Sequence, residues 1–386
     1  MGITDSCRAI GFRLIRSGLL LCALVAPTQA AVVFNQIPAT LDLSYTSYSL
    51  TANHSRAVGN YVQLDGTERY LNAVTVTMVT WAQQSEYLNS TYADYSNTAG
   101  WNHYVEVLIY AVDNSGSSPV LNYVAGSGAN LLIPWRPTVV PPGYPETGTS
   151  PYPYEGFAFN LNFQFDGTVQ LPEQLVVSVN YDTKNYGYEP MLVPGPFDKL
   201  NVAADSSIQP TVGTDLSSNV YVSQISGSNY ASTLNGNSGG AAPMFKIEAS
   251  ATASPAATYA KSFGLSGSDA AADADPDHDG YSNRLEYAFG MNPASAAGQI
   301  QPLEVFTEQL VEDALVVNLC VATFLQRNDV VYTVRATPSL EGGFPVTVTP
   351  TVHSDQTGVP SGYTRYKAVY NSGVDRGFIK VEATVP

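Results

Sequence analysis

The chain has 386 residues, of which 13% are charged, with 33 acidic side chains against 17 basic ones and a formal charge of −16. That length supports two or more domains. So acidic a balance, with no basic patch to offset it, repels nucleic acid and anionic membrane and favours divalent cations.

Residues 1–30 read as a signal peptide. Arg8, Arg13 and Arg16 precede an apolar run from Gly18 to Ala26, and Thr28-Gln29-Ala30 ends on a small residue suited to cleavage. The run is too short to anchor in a bilayer. Cleavage would remove three arginines and Asp5, taking the charge from 17 − 33 = −16 to 14 − 32 = −18. It would also remove Cys7 and Cys22, leaving Cys320 alone among apolar neighbours, where a small buried hydrophobe is expected. The expectation is a secreted or cell-surface protein that has no internal disulfide and does not insert in the membrane. A bound ion is then the natural alternative staple.

From residue 31 to 250 the pattern is that of strands. Phe157, Phe159, Leu161, Phe163 and Phe165 alternate with Ala158, Asn160, Asn162 and Gln164. Leu175, Val177, Val179 and Tyr181 repeat the period, as do Val74, Val76 and Met78, and Val105, Val107 and Ile109. Turn-rich pieces such as Asp113-Asn114-Ser115-Gly116 separate them. The expected fold is mainly β, an antiparallel sandwich or jelly roll. Residues 134–154 break the pattern with seven prolines, Tyr144, Tyr152 and Tyr154, and Trp135 near the start. So long a stretch is a functional loop or a stiff surface cover. Its rings form a candidate platform for a sugar or peptide, and the plainer reading is that they shield a sheet edge.

Five stretches of this region carry a resemblance: Gly59 to Ala82, Ile133 to Pro137, Gly156 to Asn160, Gly195 to Asn201 and Val212 to Asp215. Together they resemble a recurrent exported bacterial β-sandwich domain of unknown function, which implies the same fold and no particular reaction.

Residues 251–262, rich in Ala, Ser, Thr and Pro, read as a linker. Residues 263–293 then hold the sharpest motif in the chain, Asp275-Pro276-Asp277-His278-Asp279-Gly280-Tyr281-Ser282-Asn283-Arg284-Leu285-Glu286. It fits the twelve-residue EF-hand loop in one register. Asp275, Asp277 and Asp279 take positions one, three and five, and Gly280 the turn at six. Tyr281 offers its carbonyl at seven, Asn283 acts at nine through water, and Glu286 closes the site at twelve. Starting at Asp273 puts His278 at the glycine position, and starting at Asp277 puts Tyr281 at an acidic one. The bland alternative is a solvated acidic turn, but four carboxylates in twelve residues repel one another unless a cation sits among them. Ser268 is a candidate cap for a turn before the loop. After it Leu285, Ala288 and Phe289 share a helical face that Gly290 terminates. The segment resembles dockerin and thrombospondin type 3 calcium loops, which implies bound Ca2+. Ser282 stands where paired EF-hands place an aliphatic residue, so the site reads as single and structural.

Residues 300–386 return to strands, with Leu315, Val317, Leu319 and Val321 alternating, and read as a small C-terminal β-sandwich. Catalytic readings fit the sequence less well. Gly236 to Gly240 frames Ser238 like a chymotrypsin- or HtrA-type nucleophile, with His54 as the base, but no acidic partner segment lies between them. Asp166, Glu173 and Asp182 are glycosidase candidates that nothing singles out, and His54, His103, His278 and His353 lack zinc spacing. The reading is an exported, non-enzymatic calcium-binding protein with a structural, display or adhesion role, its calcium loop acting as connector between two β domains. Its expected partners are polysaccharide or cell-envelope components. Carbohydrate binding by residues 134–154 is the alternative, and the serine protease a remote one.

Overall fold

The computed structural model describes residues 30–42, 45–116, 119–138, 156–205, 207–216, 220–226, 229–236, 242–296, 303–312, 315–373 and 377–385. The chain divides into a unit ending at Pro276 and a unit running from Asp277 to Pro386.

The N-terminal unit holds thirteen strands among the described residues. They are β1 (Ala31–Asn35), β2 (Ser47–Tyr48), β3 (Ser55–Gln63), β4 (Tyr70–Thr80), β5 (Gly100–Asp113), β6 (Val120–Pro134) and β7 (Phe157–Gln164). Then come β8 (Gln174–Tyr181), β9 (Leu200–Ala203), β10 (Thr214–Asp215), β11 (Val220–Ser226), β12 (Asn229–Gly236) and β13 (Phe245–Ser250). One sheet runs β1-β13-β4-β9-β2 with β7 also on β4, and the other runs β12-β11-β3-β8-β5-β6 with β10 on β3. The strand pairs are antiparallel throughout.

The alternation read in the sequence supplies the core. Val58 and Val62 of β3, Val105, Val107 and Ile109 of β5, and Val177 and Val179 of β8 share one apolar cluster with Val74 and Val76 of β4 and Phe245 and Ile247 of β13. Each such side chain, when fully buried, contributes roughly 1.5–3 kcal/mol. The other face of β4 is also covered, with Val79 in a second apolar cluster and Thr75 and Thr77 hydrogen-bonded. Thr77 donates to Asn160 Oδ1 at 2.7 Å and Asn162 donates to Thr75 Oγ1 at 3.0 Å. These bonds satisfy buried threonines that would otherwise lose their water.

Residues 251–262 are not an open linker. Pro255–Ser262 form a helix, α1, whose N-cap Ser254 accepts a hydrogen bond from the Ala257 amide. Ala256, Ala257 and Ala260 are buried. The composition that suggested a linker is equally that of a capped helix, with Ser at the N-cap, Pro in the first turn and alanines beyond. Lys261 ties α1 back to the sandwich, with Nζ 2.7 Å from Asp166 Oδ2.

The C-terminal unit opens with the short helix α2 (Asn283–Phe289), followed by β14 (Leu303–Glu312), β15 (Leu315–Arg327), β16 (Val331–Thr337), β17 (Val346–Thr347), β18 (Thr351–Val352), β19 (Tyr363–Asn371) and β20 (Phe378–Thr384). Its sheets run β14-β15-β19-β18 and β17-β16-β20. Cys320 is buried, as its apolar neighbours predicted. Burial pushes its thiol pKa up, which keeps it protonated.

Candidate metal centre

The acidic loop is shaped by its own short-range bonds. The Asp279 amide donates to Asp277 Oδ1 at 3.3 Å, and the Tyr281 amide donates to Asp279 Oδ1 at 2.8 Å. Two residues take positive φ, His278 at 60° and Gly280 at 90°. Glycine adopts that conformation without strain, which accounts for Gly280 better than lack of space does, since a Cβ there would meet nothing within 4 Å. His278 and Gly280 are exposed, as loop positions four and six should be.

The result is convergence. Asp275, Asp277 and Asp279 each place a carboxylate oxygen so that all three lie within 4.8 Å of one another, and all three residues are partly buried. Like charges at that separation repel, and a hard cation among them would reverse the sign of the interaction. Glu286 is not part of this trio. It stands in the first turn of α2 with Asn283, and both are fully buried. Moving an ionised carboxylate out of water costs several kcal/mol unless charge or hydrogen bonds compensate. The division between the two units falls within this loop, after Pro276.

Below the loop, α2 is held firmly. All seven of its residues are buried, and Gly290 ends it at φ 72°, the left-handed stop read in the sequence. Tyr363 OH donates to the Tyr287 carbonyl at 2.6 Å, Tyr332 OH donates to the Ala288 carbonyl, and Tyr287 OH donates to Asp329. Arg327 stacks over both Tyr287 and Tyr363, 4.2 and 4.9 Å from their centroids, and pairs with Asp329 at 3.0 Å. Sequence reasoning missed this collar. Its one sequence trace is the Arg327-x-Asp329 spacing beside an aromatic-rich strand. The expected turn before the loop is present as a 3-10 helix, Gly267–Ala270, but its N-cap is Ser266 rather than Ser268.

The other candidate sites fare differently. Trp135 is core, not platform: it is 8% exposed, its ring stacks on Tyr87 at 6.0 Å, and its Nε1 donates to the Asn97 carbonyl at 2.8 Å. An indole that large buries its ring and finds one acceptor, which outweighs any gain from standing in water. Tyr144, Tyr152 and Tyr154 lie outside the described residues, as do Ser238 and all but the last residue of the proposed leader. His54 stacks on Tyr186 at 4.9 Å. Asp166 is bound to Lys261, Asp182 Oδ1 accepts from the Glu189 amide at 2.8 Å, and Glu173 accepts from Gln63 at 3.3 Å. His103 Nε2 donates to the Asp182 carbonyl at 2.8 Å, and burial holds its pKa down to about 4. No helix among the described residues is long and apolar enough to cross a membrane.

No protein-family model, curated protein or solved structure matches the chain.

Proposed function

We propose that residues 275–286 bind one calcium ion and that this ion stabilises the loop and the start of the C-terminal unit. The observation that carries the reading is the convergence of Asp275, Asp277 and Asp279 within 4.8 Å, in the only register that also places Gly280 at the turn and Glu286 at position twelve. Three aspartates, a main-chain carbonyl from Tyr281, a water held by Asn283 and a two-oxygen contribution from Glu286 make the six to eight oxygens that calcium takes. Magnesium fits less well, because it demands near-ideal octahedral geometry and gives up its waters reluctantly.

Calcium would act here as a staple. Asn283 and Glu286 belong to a helix whose Tyr287 and Ala288 carbonyls are held by the Tyr363 and Tyr332 hydroxyls and whose Tyr287 ring lies under Arg327, so holding the loop also holds the helix. In an exported chain left with one cysteine such an ion would do the work that disulfides do elsewhere. We read the protein as a secreted or surface-exposed, non-enzymatic β protein with a structural, display or adhesion role. The test is a melting curve in millimolar Ca2+ against chelator and against Mg2+. Calcium should raise the midpoint in the parent chain and leave Asp277→Ala unmoved; equal midpoints in calcium and chelator would sink the proposal.

A further inference from the structure

A second candidate site lies within the N-terminal unit. Among the described residues β6 pairs only with β5, at the end of its sheet. Fifteen residues long, it carries no charged side chain, and its middle reads Ala125-Gly126-Ser127-Gly128-Ala129. Sheet edges are normally blunted by lysine, proline or brevity. Glycines inside a strand mark places where something approaches the backbone closely. Two tyrosines fold over these glycines: a Cβ at Gly128 would fall 2.3 Å from Tyr104 Oη, and one at Gly126 would fall 3.2 Å from Tyr123 Oη.

This edge forms one wall of a cleft of about 380 Å³ lined by Tyr123, Gly126, Gly128, Gln164, Asp166 and Ser268, among others. Its volume lies within the range of small-ligand sites. The chemistry of the walls narrows the ligand. Tyr123 is 64% exposed, an aromatic face turned to solvent. Gln164, Ser268 and the main chain of β6 supply neutral donors and acceptors. The one carboxylate, Asp166, is already neutralised: its side chain is 7% exposed and Lys261 Nζ sits 2.7 Å away. Such a cleft offers stacking and neutral hydrogen bonds but no net charge, on a chain whose formal charge of −16 repels anions. A molecule with an apolar C–H face and a rim of hydroxyls matches both halves of that description.

We propose that this cleft binds a neutral carbohydrate, one or two sugar units of a polysaccharide, with Tyr123 stacking on a ring and Gln164, Ser268 and the Gly126–Gly128 backbone contacting the hydroxyls. None of its lining residues belongs to residues 275–286 or 134–154.

The test is affinity gel electrophoresis of residues 31–386 through a neutral glucan, a mannan and a xylan, with Tyr123→Ala, Gln164→Ala and Tyr92→Ala. Tyr92 is a control, 59% exposed and not in the cleft lining. At least one polysaccharide should retard the parent chain. Tyr123→Ala should weaken that binding about tenfold or more, and Gln164→Ala should weaken it measurably. Tyr92→Ala should leave it unchanged. Melting curves identify any variant whose fold has failed, and Tyr123→Phe, which keeps the ring, should retain binding. No retardation by any of the three, or retardation that survives Tyr123→Ala, overturns the proposal. So does capture of an extended peptide in their place, which would assign the β6 edge to strand addition.

Discussion

Replacing Phe289 with alanine tests whether α2 belongs to the core of the C-terminal unit. The ring is 1% exposed and packs edge-on against Tyr332 with centroids 5.7 Å apart. Removing a buried phenylalanine costs about 3–5 kcal/mol, the transfer energy of the ring plus the cavity it leaves. Tyr332 lines that cavity while its hydroxyl is held by the Ala288 carbonyl, so the site has little freedom to collapse and the upper half of the range applies. In a unit of roughly a hundred residues each kcal/mol moves the midpoint by about 4–8 °C, so the loss is on the order of 20 °C or more. Differential scanning calorimetry in excess calcium measures this, and hydrogen exchange at the amides of α2 locates it. Because Asn283 and Glu286 ride on the same helix, calcium affinity should fall in the variant although no proposed ligand has been touched. A destabilisation below about 1 kcal/mol with α2 amides still protected would refute the reasoning.

Two further outcomes follow from the N-terminal unit. His103 is held neutral by burial, with its pKa lowered from 6.5 to about 4. Since the unfolded chain binds that proton and the folded one does not, stability should rise with pH between about 4 and 6.5, by about 3 kcal/mol in all. His103→Gln should remove that component from a pH series of urea melts, and an NMR titration placing His103 near 6.5 would contradict it. For Asp166, burial alone would raise the carboxyl pKa, but hydrogen bonds from Lys261 and Thr168 win and hold it below the usual range. Lys261→Met should therefore destabilise the unit by about 1–3 kcal/mol and shift the Asp166 titration upward; its stability contribution, present above the ordinary carboxylate pKa, would then fade at higher pH as acid is added. An unchanged titration would show that Thr168 alone suffices.

Much of this molecule was legible locally. Strands with a clean period of two, such as Leu175 to Tyr181, appear where expected, although in that strand both faces are buried, the second one with Val176, Ser178 and Asn180. The Gly290 stop was readable because it depends on a few adjacent residues. The features that escaped depend on distant ones. Trp135 reads as a loop aromatic until Tyr87, Tyr95 and Trp101 surround it. Residues 255–262 read as linker until burial of three alanines decides for helix. Strand order is the extreme case: β4 takes β7 along one side and β13 and β9 along the other, and no local pattern encodes that choice. The cleft beside β6 had no counterpart in the sequence, because it forms only where Gly126 and Gly128 meet Gln164, Asp166 and Ser268, which are distant in the chain.

Isothermal titration of Ca2+ into residues 31–386, repeated on Asp277→Ala, bears most directly on the calcium staple. The account predicts one site with Kd on the order of 10⁻⁴ to 10⁻³ M or tighter, a stabilisation of about 1.4–2.7 kcal/mol in 10 mM calcium, and the loss of both in the variant. Saturable binding that persists in Asp277→Ala, or no binding heat together with melting curves that ignore calcium, would contradict it.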